Sequence, residues 1–192
     1  MIDKIVALDL SLTCTGLVTF STDGMKLEHD SIKTKVTDGE RVERYARAAR
    51  RILSYVPRTS MVFIEDFAYG ARAGASSLAT LGELNGVIKL LCWKKTGRIP
   101  ITVPSTTIKQ WLGAGNMKKD MIPVEAFKMF QKEMNTHDEY VALTLADIAY
   151  HLLALYQDTK HLRKLTAKQS SILVKLQGSK VGDLTTRGLR IK

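Results

Sequence analysis

The apolar residues of the first 65 positions fall into short, nearly continuous runs instead of recurring at helical spacing. Such runs are typical of strands that are buried on both faces of a sheet. A short link between the first two runs predicts a hairpin, and the turn signal Thr22-Asp23-Gly24 predicts a second hairpin that leads to a more polar strand. The predicted strands are Lys4–Leu10, Gly16–Phe20, Lys26–Thr34, Met61–Glu65 and Ile99–Val103.

Elsewhere the apolar residues recur every three to four positions, which is the spacing of an amphipathic helix. Pro57 ends the first of these patterns, and Thr136 with Glu139 has the spacing of a capping box at the start of the longest. The predicted helices are Glu40–Val56, Ser76–Trp93, Thr106–Leu112, Asp120–Met134, Thr136–Tyr156 and Thr166–Leu176. Hairpin-linked strands followed by strand–helix units predict an α/β fold with a mixed five-stranded sheet that is flanked by helices.

Positive charge is distributed unevenly along the chain. There are 29 Lys and Arg against 19 Asp and Glu, a net charge of +10, and residues 160–192 alone contribute +8. We therefore predict a nearly neutral domain over residues 1–159 and a basic C-terminal extension over residues 160–192. A basic segment of this kind suits a polyanion, most simply nucleic acid. A tail that only aids solubility is the alternative.

The sequence gives no support to the membrane, secreted and zinc-binding classes. No apolar run is long enough to span a bilayer, and no charged start precedes a short apolar segment. The two cysteines, Cys14 and Cys92, lie far apart and do not have zinc-ligand spacing. We expect a soluble cytoplasmic protein whose thiols are reduced.

Three acidic residues lie in apolar surroundings, where an unpaired charge is costly. Asp9 lies near the end of the first strand, and Glu65 ends the fourth, with Asp66 beside it as an alternative. Asp147 lies in the helix sequence LTLADIAYHLLALY, whose almost wholly apolar composition predicts burial. Because functional groups gather at strand ends in α/β sheets, we expect the first two acids to mark a site.

Carboxylates in such positions suggest a hard divalent cation. We expect Mg²⁺, with Mn²⁺ as a substitute, and two ions per site, which would activate a water and stabilise the leaving oxygen of a phosphodiester. Each acid also has an ordinary structural explanation. Asp9 would cap the following turn, Glu65 would pair with an arginine, and Asp147 would be a core carboxylate with satisfied hydrogen bonds.

Five segments of the chain occur in an order that is known from one family. They are IVALDLSLTCTGLVTF, VFIEDF, SSLATLGELNGVIKLL, VPSTTIKQWLGAGNMKKDMI and LADIAYHLLAL. Over about residues 4–156 the sequence thereby resembles the RuvC Holliday-junction resolvases, in their phage-type form. The resemblance implies an RNase H-like fold and a Mg²⁺-dependent endonuclease. Such an enzyme cuts four-way or other branched DNA as a homodimer, in a bacterial or phage-infected cell.

The resemblance also implies roles for individual residues. The implied metal-binding catalytic acids are Asp9, Glu65 and Asp147, and the implied DNA-binding lysines are Lys109, Lys118 and Lys119, of which Lys119 also acts in catalysis. The family has a further ligand about one turn before the last acid, where this chain has Leu143 or Thr144. Asp138 is the candidate to replace that ligand, but along a continuous helix it lies about 13 Å from Asp147. Either a kink brings it closer or the site has three protein acids.

Two further predictions concern binding. In the small-residue-rich segment after Glu65, we expect Tyr69 to insert at the centre of the junction and Arg72 to contact phosphate. We also expect the helix over 76–93 to form a dimer interface. The interface residues would be Leu78, Leu81, Leu84 and Ile88, with Gly82 and Gly86 allowing close approach. Burial of this stripe against the chain's own sheet is the alternative.

The competing function is a non-catalytic junction- or nucleic-acid-binding protein with a degenerate RNase H-like site. Its support is the missing acid one turn before Asp147. Cleavage of a synthetic four-way junction, with and without a divalent cation, separates the two functions.

Overall fold

A computed structural model describes residues 2–24, 26–66, 75–157 and 163–178. The strands are β1 (Lys4–Asp9), β2 (Cys14–Ser21), β3 (Leu27–Lys33), β4 (Ser60–Asp66) and β5 (Ile101–Pro104). The helices are α1 (Arg41–Ser54), α2 (Ala75–Thr96), α3 (Ser105–Leu112), α4 (Met121–Phe130), α5 (His137–Gln157) and α6 (Ala167–Gly178), with a short 3-10 turn at Val36–Asp38 before α1.

The five strands form one mixed sheet in the order β3-β2-β1-β4-β5. The two hairpins make β1 antiparallel to β2 and β2 antiparallel to β3, whereas β4 lies parallel to β1 and β5 parallel to β4. The predicted mixed five-stranded sheet is therefore confirmed. Because β1 and β4 are parallel, their carboxyl ends meet at one edge of the sheet, and there Asp9 pairs across the hairpin with Gly16.

Side chains alternate between the two faces of the sheet, and each face is covered by its own helices. On β1, Ile5 and Ala7 belong to the core under α3, α4, α5 and α6, while Val6 and Leu8 belong to the core under α1 and α2. Helix α5 is buried from residue 141 to residue 154, as its apolar sequence predicts. It packs across β1 and β2, and this packing determines which strand residues lie next to its first turn.

The interface stripe expected on α2 is only partly available to a partner. Leu84 and Ile88 are fully buried in the chain's own core, against Ile52 of α1 and Ile64 of β4. For Leu84 and Ile88, the structure therefore shows the alternative, which is burial against the chain's own sheet. The exposed side of α2 carries Leu90 and Trp93 instead.

Two helix boundaries differ from the prediction in a way that affects the site. Helix α4 ends at Phe130 instead of Met134, because Gln131 adopts a left-handed conformation with a φ of 51° and closes the last turn onto Phe127. Helix α5 then begins at His137. Thr136 accepts a hydrogen bond from the backbone N–H of Glu139 at 3.2 Å, as the capping pattern predicts.

Helix α6 packs against α3 and α5. Its apolar residues Ile172, Leu173 and Leu176 are buried in the same core as β1 and α5, so this part of the predicted extension lies on the domain. Residues 158–162 and 179–192, which carry the other positive charges of that extension, lie outside the described residues. Among the helices that the structure describes, none is long and apolar enough to cross a membrane.

Candidate active site

Two carboxylates meet at the carboxyl edge of the sheet. Leu8 on β1 is paired with Ile64 on β4, so the next residues, Asp9 and Glu65, are neighbours across the two strands. The neighbouring Glu65 carboxylate is one of the causes that raise the pKa of Asp9. Glu65, rather than the adjacent Asp66, is therefore the acid of β4 that faces Asp9.

The first turn of α5 brings a third carboxylate to this edge. Helix α5 crosses β2 at Gly16, where an added Cβ would overlap the backbone carbonyl of Asp138. Glycine at this position is what permits so close an approach of helix to strand. Since Gly16 is paired with Asp9 in the hairpin, the crossing sets Asp138 beside Asp9.

His137 completes the cluster. Asp9, His137 and Asp138 each offer a potential ligand atom, and these atoms all lie within 4.8 Å of one another. Nε2 of His137 lies 3.0 Å from the backbone carbonyl of Lys119, which makes Nε2 the donor nitrogen. Nδ1 lies 3.3 Å from Oδ1 of Asp138.

The charges of the cluster perturb one another. Burial, the neighbouring Glu65 and the charge of Asp138 raise the pKa of Asp9 well above its ordinary value, and Lys119 opposes them only in part. Burial alone would also raise the pKa of Asp138. There the hydrogen bond with His137, the charge of Lys119 and the thiol of Cys14 together hold the pKa below its ordinary value.

This donor set fits a divalent metal ion. Carboxylate oxygens are the ligands that Mg²⁺ and Mn²⁺ prefer, and a neutral imidazole is acceptable to Mn²⁺. The carboxylates of Glu65 and Asp138 both raise the pKa of Asp9. A cation among Asp9, Glu65, His137 and Asp138 would offset this repulsion and pair with the three carboxylates.

Asp147, by contrast, lies away from the cluster. Helix α5 is continuous, so the nine residues from Asp138 to Asp147 separate the two acids by about 13.5 Å of helix rise. The expected grouping of Asp147 with Asp9 and Glu65 is thus not the arrangement found. The alternative from the sequence, a core carboxylate with satisfied hydrogen bonds, describes Asp147 as it is placed.

Asp147 is held by donors from three directions. Its Oδ2 accepts hydrogen bonds from Trp111 Nε1 at 2.8 Å and from Arg163 Nη2 at 2.7 Å. Its Oδ1 lies 3.4 Å from His151 Nε2. Burial would raise the pKa of Asp147, but the hydrogen bond with His151 and the charge of Arg163 outweigh it and lower the pKa. Both oxygens of the carboxylate thus have partners within the protein.

Glu139, which the sequence predicts only as part of a capping box, fixes the start of α5. Glu139 is fully buried and accepts hydrogen bonds from His29 Nδ1 at 2.6 Å, from the backbone N–H of Asn135 at 3.2 Å and from the hydroxyl of Ser31. His29 and Ser31 belong to β3, so Glu139 ties the first turn of α5 to the sheet. Because Asp138 directly precedes Glu139, the same contacts hold the backbone of Asp138 in place. The capping pattern had marked Glu139, but not its partners on a strand that is distant in sequence.

Of the predicted DNA-binding lysines, Lys119 lies beside the cluster. Lys119 is exposed, and its charge acts on both Asp9 and Asp138. Lys118 is exposed beside it, and Lys109 is half-buried on α3. Tyr69 and Arg72 lie outside the described residues, so the predicted insertion at the junction centre stays a prediction.

Comparison with solved structures identifies the fold. A structure of RuvC from Thermus thermophilus matches with a TM-score of 0.60 at 20% sequence identity, covering 79% of this chain and 95% of that one. A structure of T. thermophilus RuvC in complex with a Holliday junction substrate matches with the same TM-score at 17% identity, covering 79% of this chain and 94% of that one. The chain has the RuvC fold.

This is an RNase H-like fold, and the predicted fold class is thereby confirmed. No protein-family model matches the sequence, and no curated protein matches it. At such identities the similarity concerns the path of the backbone. Any activity must therefore be argued from the side chains that this chain places on it.

Proposed function

We propose that this protein is a divalent-metal-dependent endonuclease that cleaves Holliday junctions and related branched DNA. The observation that carries the proposal is the cluster of Asp9, Glu65, His137 and Asp138 at the carboxyl edge of β1 and β4, on a RuvC fold. His137 and Asp138 offer ligands that the sequence lacks one turn before Asp147. Their position supports a nuclease over a non-catalytic binding protein.

The four residues have distinct tasks in this proposal. Asp9, Glu65 and Asp138 would hold Mg²⁺ or Mn²⁺ by carboxylate oxygens, and His137 would add Nδ1. One or two such ions supply Lewis acidity and an activated water for phosphodiester hydrolysis. The protein contributes orientation: the carbonyl of Lys119 holds the His137 ring, and Glu139 holds the helix turn that carries both His137 and Asp138.

Lys119 is placed to bind the phosphate next to the acids. Its ammonium is close enough to act on the titration of Asp9 and Asp138, yet the side chain is exposed. A phosphate oxygen approaching the acids would meet it, and a cation there favours the negative charge that develops in the transition state. Lys118 and Lys109 would extend the phosphate contacts outward, giving recognition of shape more than of sequence.

The test is cleavage of a synthetic four-way junction labelled on each strand in turn. We expect paired nicks with Mg²⁺ or Mn²⁺ and none with EDTA. Asp9→Asn and Glu65→Gln should abolish nicking while junction binding in a gel-shift assay persists. Asp66→Asn, one residue from Glu65, is the matched control and should nick normally. Binding of the junction without nicking in either metal would instead establish the non-catalytic alternative.

Cutting two strands of a junction calls for two sites, so we also propose a homodimer. The outer face of α2 supports it: Leu90 is 49% exposed, Trp93 is 48% exposed, and Gly86, one turn earlier, has open space where a Cβ would lie. Apolar side chains beside a small residue allow two helices to approach closely. Light scattering should give twice the chain mass of 21.4 kDa, and Leu90→Ser with Trp93→Ser should give the monomer mass. Val174→Ser, another exposed apolar position, should leave the dimer intact.

A further inference from the structure

A second concentration of positive charge lies outside the candidate site. Residues 44–64 contain five arginines and no acid, and residues 84–119 contain seven lysines and arginines and no acid. Residues 1–159 are therefore nearly neutral in total, but their positive and negative charges lie in different parts of the sequence. Three of these cations, Lys109, Lys118 and Lys119, are those assigned to the candidate site, and the others lie on α1, α2 and the adjoining loops.

Two contacts bring cations of α2 and of the loop that follows it to the C-terminal end of α1 and the loop before β4. Lys95 Nζ donates to the carbonyl of Leu53 at 2.7 Å, and Arg98 Nη1 donates to the carbonyl of Arg58 at 2.9 Å. Arg50 precedes Leu53 by one helical turn. The distal basic surface, as we define it, consists of Arg50, Arg58, Lys94, Lys95 and Arg98. All of these except the half-buried Arg98 are exposed.

These five cations are not neutralised by the protein. Among the described residues none of the five forms an ion pair, whereas Arg41 and Arg51 of the same helix α1 pair with Glu83 and Asp30. Like charges held close together repel, and a group without counter-charges is a cost to the folded state. A favourable interaction with the helix macrodipole accounts for Lys94 and Lys95 in the last turn of α2. It does not account for Arg58, which lies in the loop before β4.

The distal basic surface lies at the opposite end of the sheet from the candidate site. Arg58 precedes β4 by two residues, and Glu65 is near the other end of that strand. Five residues of strand, from Ser60 to Glu65, span about 17 Å. A B-DNA duplex advances about 3.4 Å per base pair, so the two sites are separated by roughly half a helical turn of DNA.

We propose that the distal basic surface binds the phosphate backbone of duplex DNA. Arginine and lysine side chains with free donors, exposed and without carboxylate partners, are suited to phosphate oxygens. The surface would hold a duplex segment that lies beyond the phosphates at the acid cluster. It requires no particular base sequence and no branch point. The proposal goes beyond cleavage and can be tested on plain duplex.

The test compares two triple variants that lose the same charge. Arg50→Gln, Arg58→Gln and Lys94→Gln removes the three cations of the surface whose side chains form no hydrogen bond or ion pair among the described residues. Lys26→Gln, Lys128→Gln and Lys132→Gln is the matched control, from elsewhere on the surface. Both are measured as full chains binding a 30-base-pair duplex by fluorescence anisotropy from 50 to 300 mM salt, without divalent cation. Circular dichroism verifies the fold.

We expect the first variant to bind the duplex up to a hundredfold more weakly near 100 mM salt. Its slope of log affinity against log salt should be shallower by up to about 2.7, since each lost phosphate contact removes about 0.9. The control should keep the wild-type slope. Equal losses in both variants would reduce the effect to bulk charge and overturn the proposal.

Vesicles containing anionic lipid provide the second arm. If the first variant loses vesicle binding while its duplex binding stays unchanged, the surface is one for membranes and the proposal is wrong. The result for duplex binding can be distinguished from the result for the proposed nuclease activity. A wild-type protein that nicks no junction would refute the nuclease while leaving the duplex measurement fully interpretable.

Discussion

Asp138 and Asp147 lie on the same helix, but the groups that surround their side chains are different. Asp138, with 20% of its side chain exposed, lies with the carboxyl of Asp9 and the ring of His137 in a group whose potential ligand atoms are all within 4.8 Å of one another. Asp147, with 8% exposed, is bonded instead to the donors of Trp111 and Arg163. Two neighbouring carboxylates can share a cation, whereas a carboxylate among donors already has its partners. Burial alone does not mark a catalytic acid.

Exchanging each aspartate for asparagine gives the largest expected difference. Asp138→Asn removes a charged ligand, so the rate of junction nicking in Mg²⁺ should fall about a thousandfold, equivalent to ~4 kcal/mol of barrier. Asp147→Asn should nick at close to the wild-type rate per folded molecule. Single-turnover kinetics on a labelled junction measures both. An inactive but folded Asp147→Asn with an active Asp138→Asn would reverse the assignment.

The second comparison concerns stability, where Asp147 should matter more. Removing Arg163 leaves a buried carboxylate with one donor fewer, so Arg163→Met should lower the free energy of unfolding by about 2 kcal/mol. Because Arg163 precedes α6, amide exchange in α6 should quicken. The control is Lys164→Met, at an exposed neighbouring position. If the double variant with Asp147→Asn is destabilised by the full sum of the single effects, the two residues are not coupled.

The third comparison tests whether the first turn of α5 is positioned by Glu139. Glu139→Gln keeps the size of the side chain but weakens its bonds to His29 and Ser31, so Mn²⁺ affinity should fall about tenfold, which is ~1.4 kcal/mol. Calorimetric Mn²⁺ titration measures the affinity, and thermal unfolding without metal measures any general loss of structure. Glu43→Gln, another acid in the first turn of its helix, is the control. Lower stability with unchanged Mn²⁺ affinity would make Glu139 purely structural.

The smallest expected effect is on the pH dependence of stability without metal. The raised pKa of Asp9 means that the folded state retains a proton that the unfolded chain releases, so stability is lost as the pH rises through that pKa. The lowered pKa of Asp147 has the opposite sign, with stability lost as the pH falls through it. In EDTA, Asp9→Asn should therefore raise Tm at pH 7 by a few degrees, equivalent to ~1 kcal/mol.

The same measurement has an internal check. Mn²⁺ should raise the Tm of the wild-type protein at pH 7 and have little effect on Asp9→Asn, because a ligand stabilises only the state that binds it. Asp147→Asn should respond to Mn²⁺ like the wild type. A wild-type Tm that rises steadily from pH 5 to pH 8 in EDTA would contradict the role assigned to Asp9.

The sequence by itself predicted the elements and named three of the four residues in the candidate site, with Asp138 only as an alternative ligand. Continuous apolar runs and turn signals are local properties, so the strands and hairpins were predictable from them. Asp9 and Glu65 were predictable as partners because each lies at the end of a buried strand. The capping pattern of Thr136 and Glu139 marked where α5 starts.

Only the tertiary structure decided which end of α5 reaches the site. The choice depends on where the helix crosses β2, and that crossing is set by Gly16, more than 120 residues earlier in the chain. The partners of Asp147 and Glu139 likewise come from α3, from β3 and from the residue Arg163 beyond α5. Donors and acceptors that are distant in sequence cannot be counted from a periodic pattern. The number of such donors around a buried acid determines whether the acid still requires a cation.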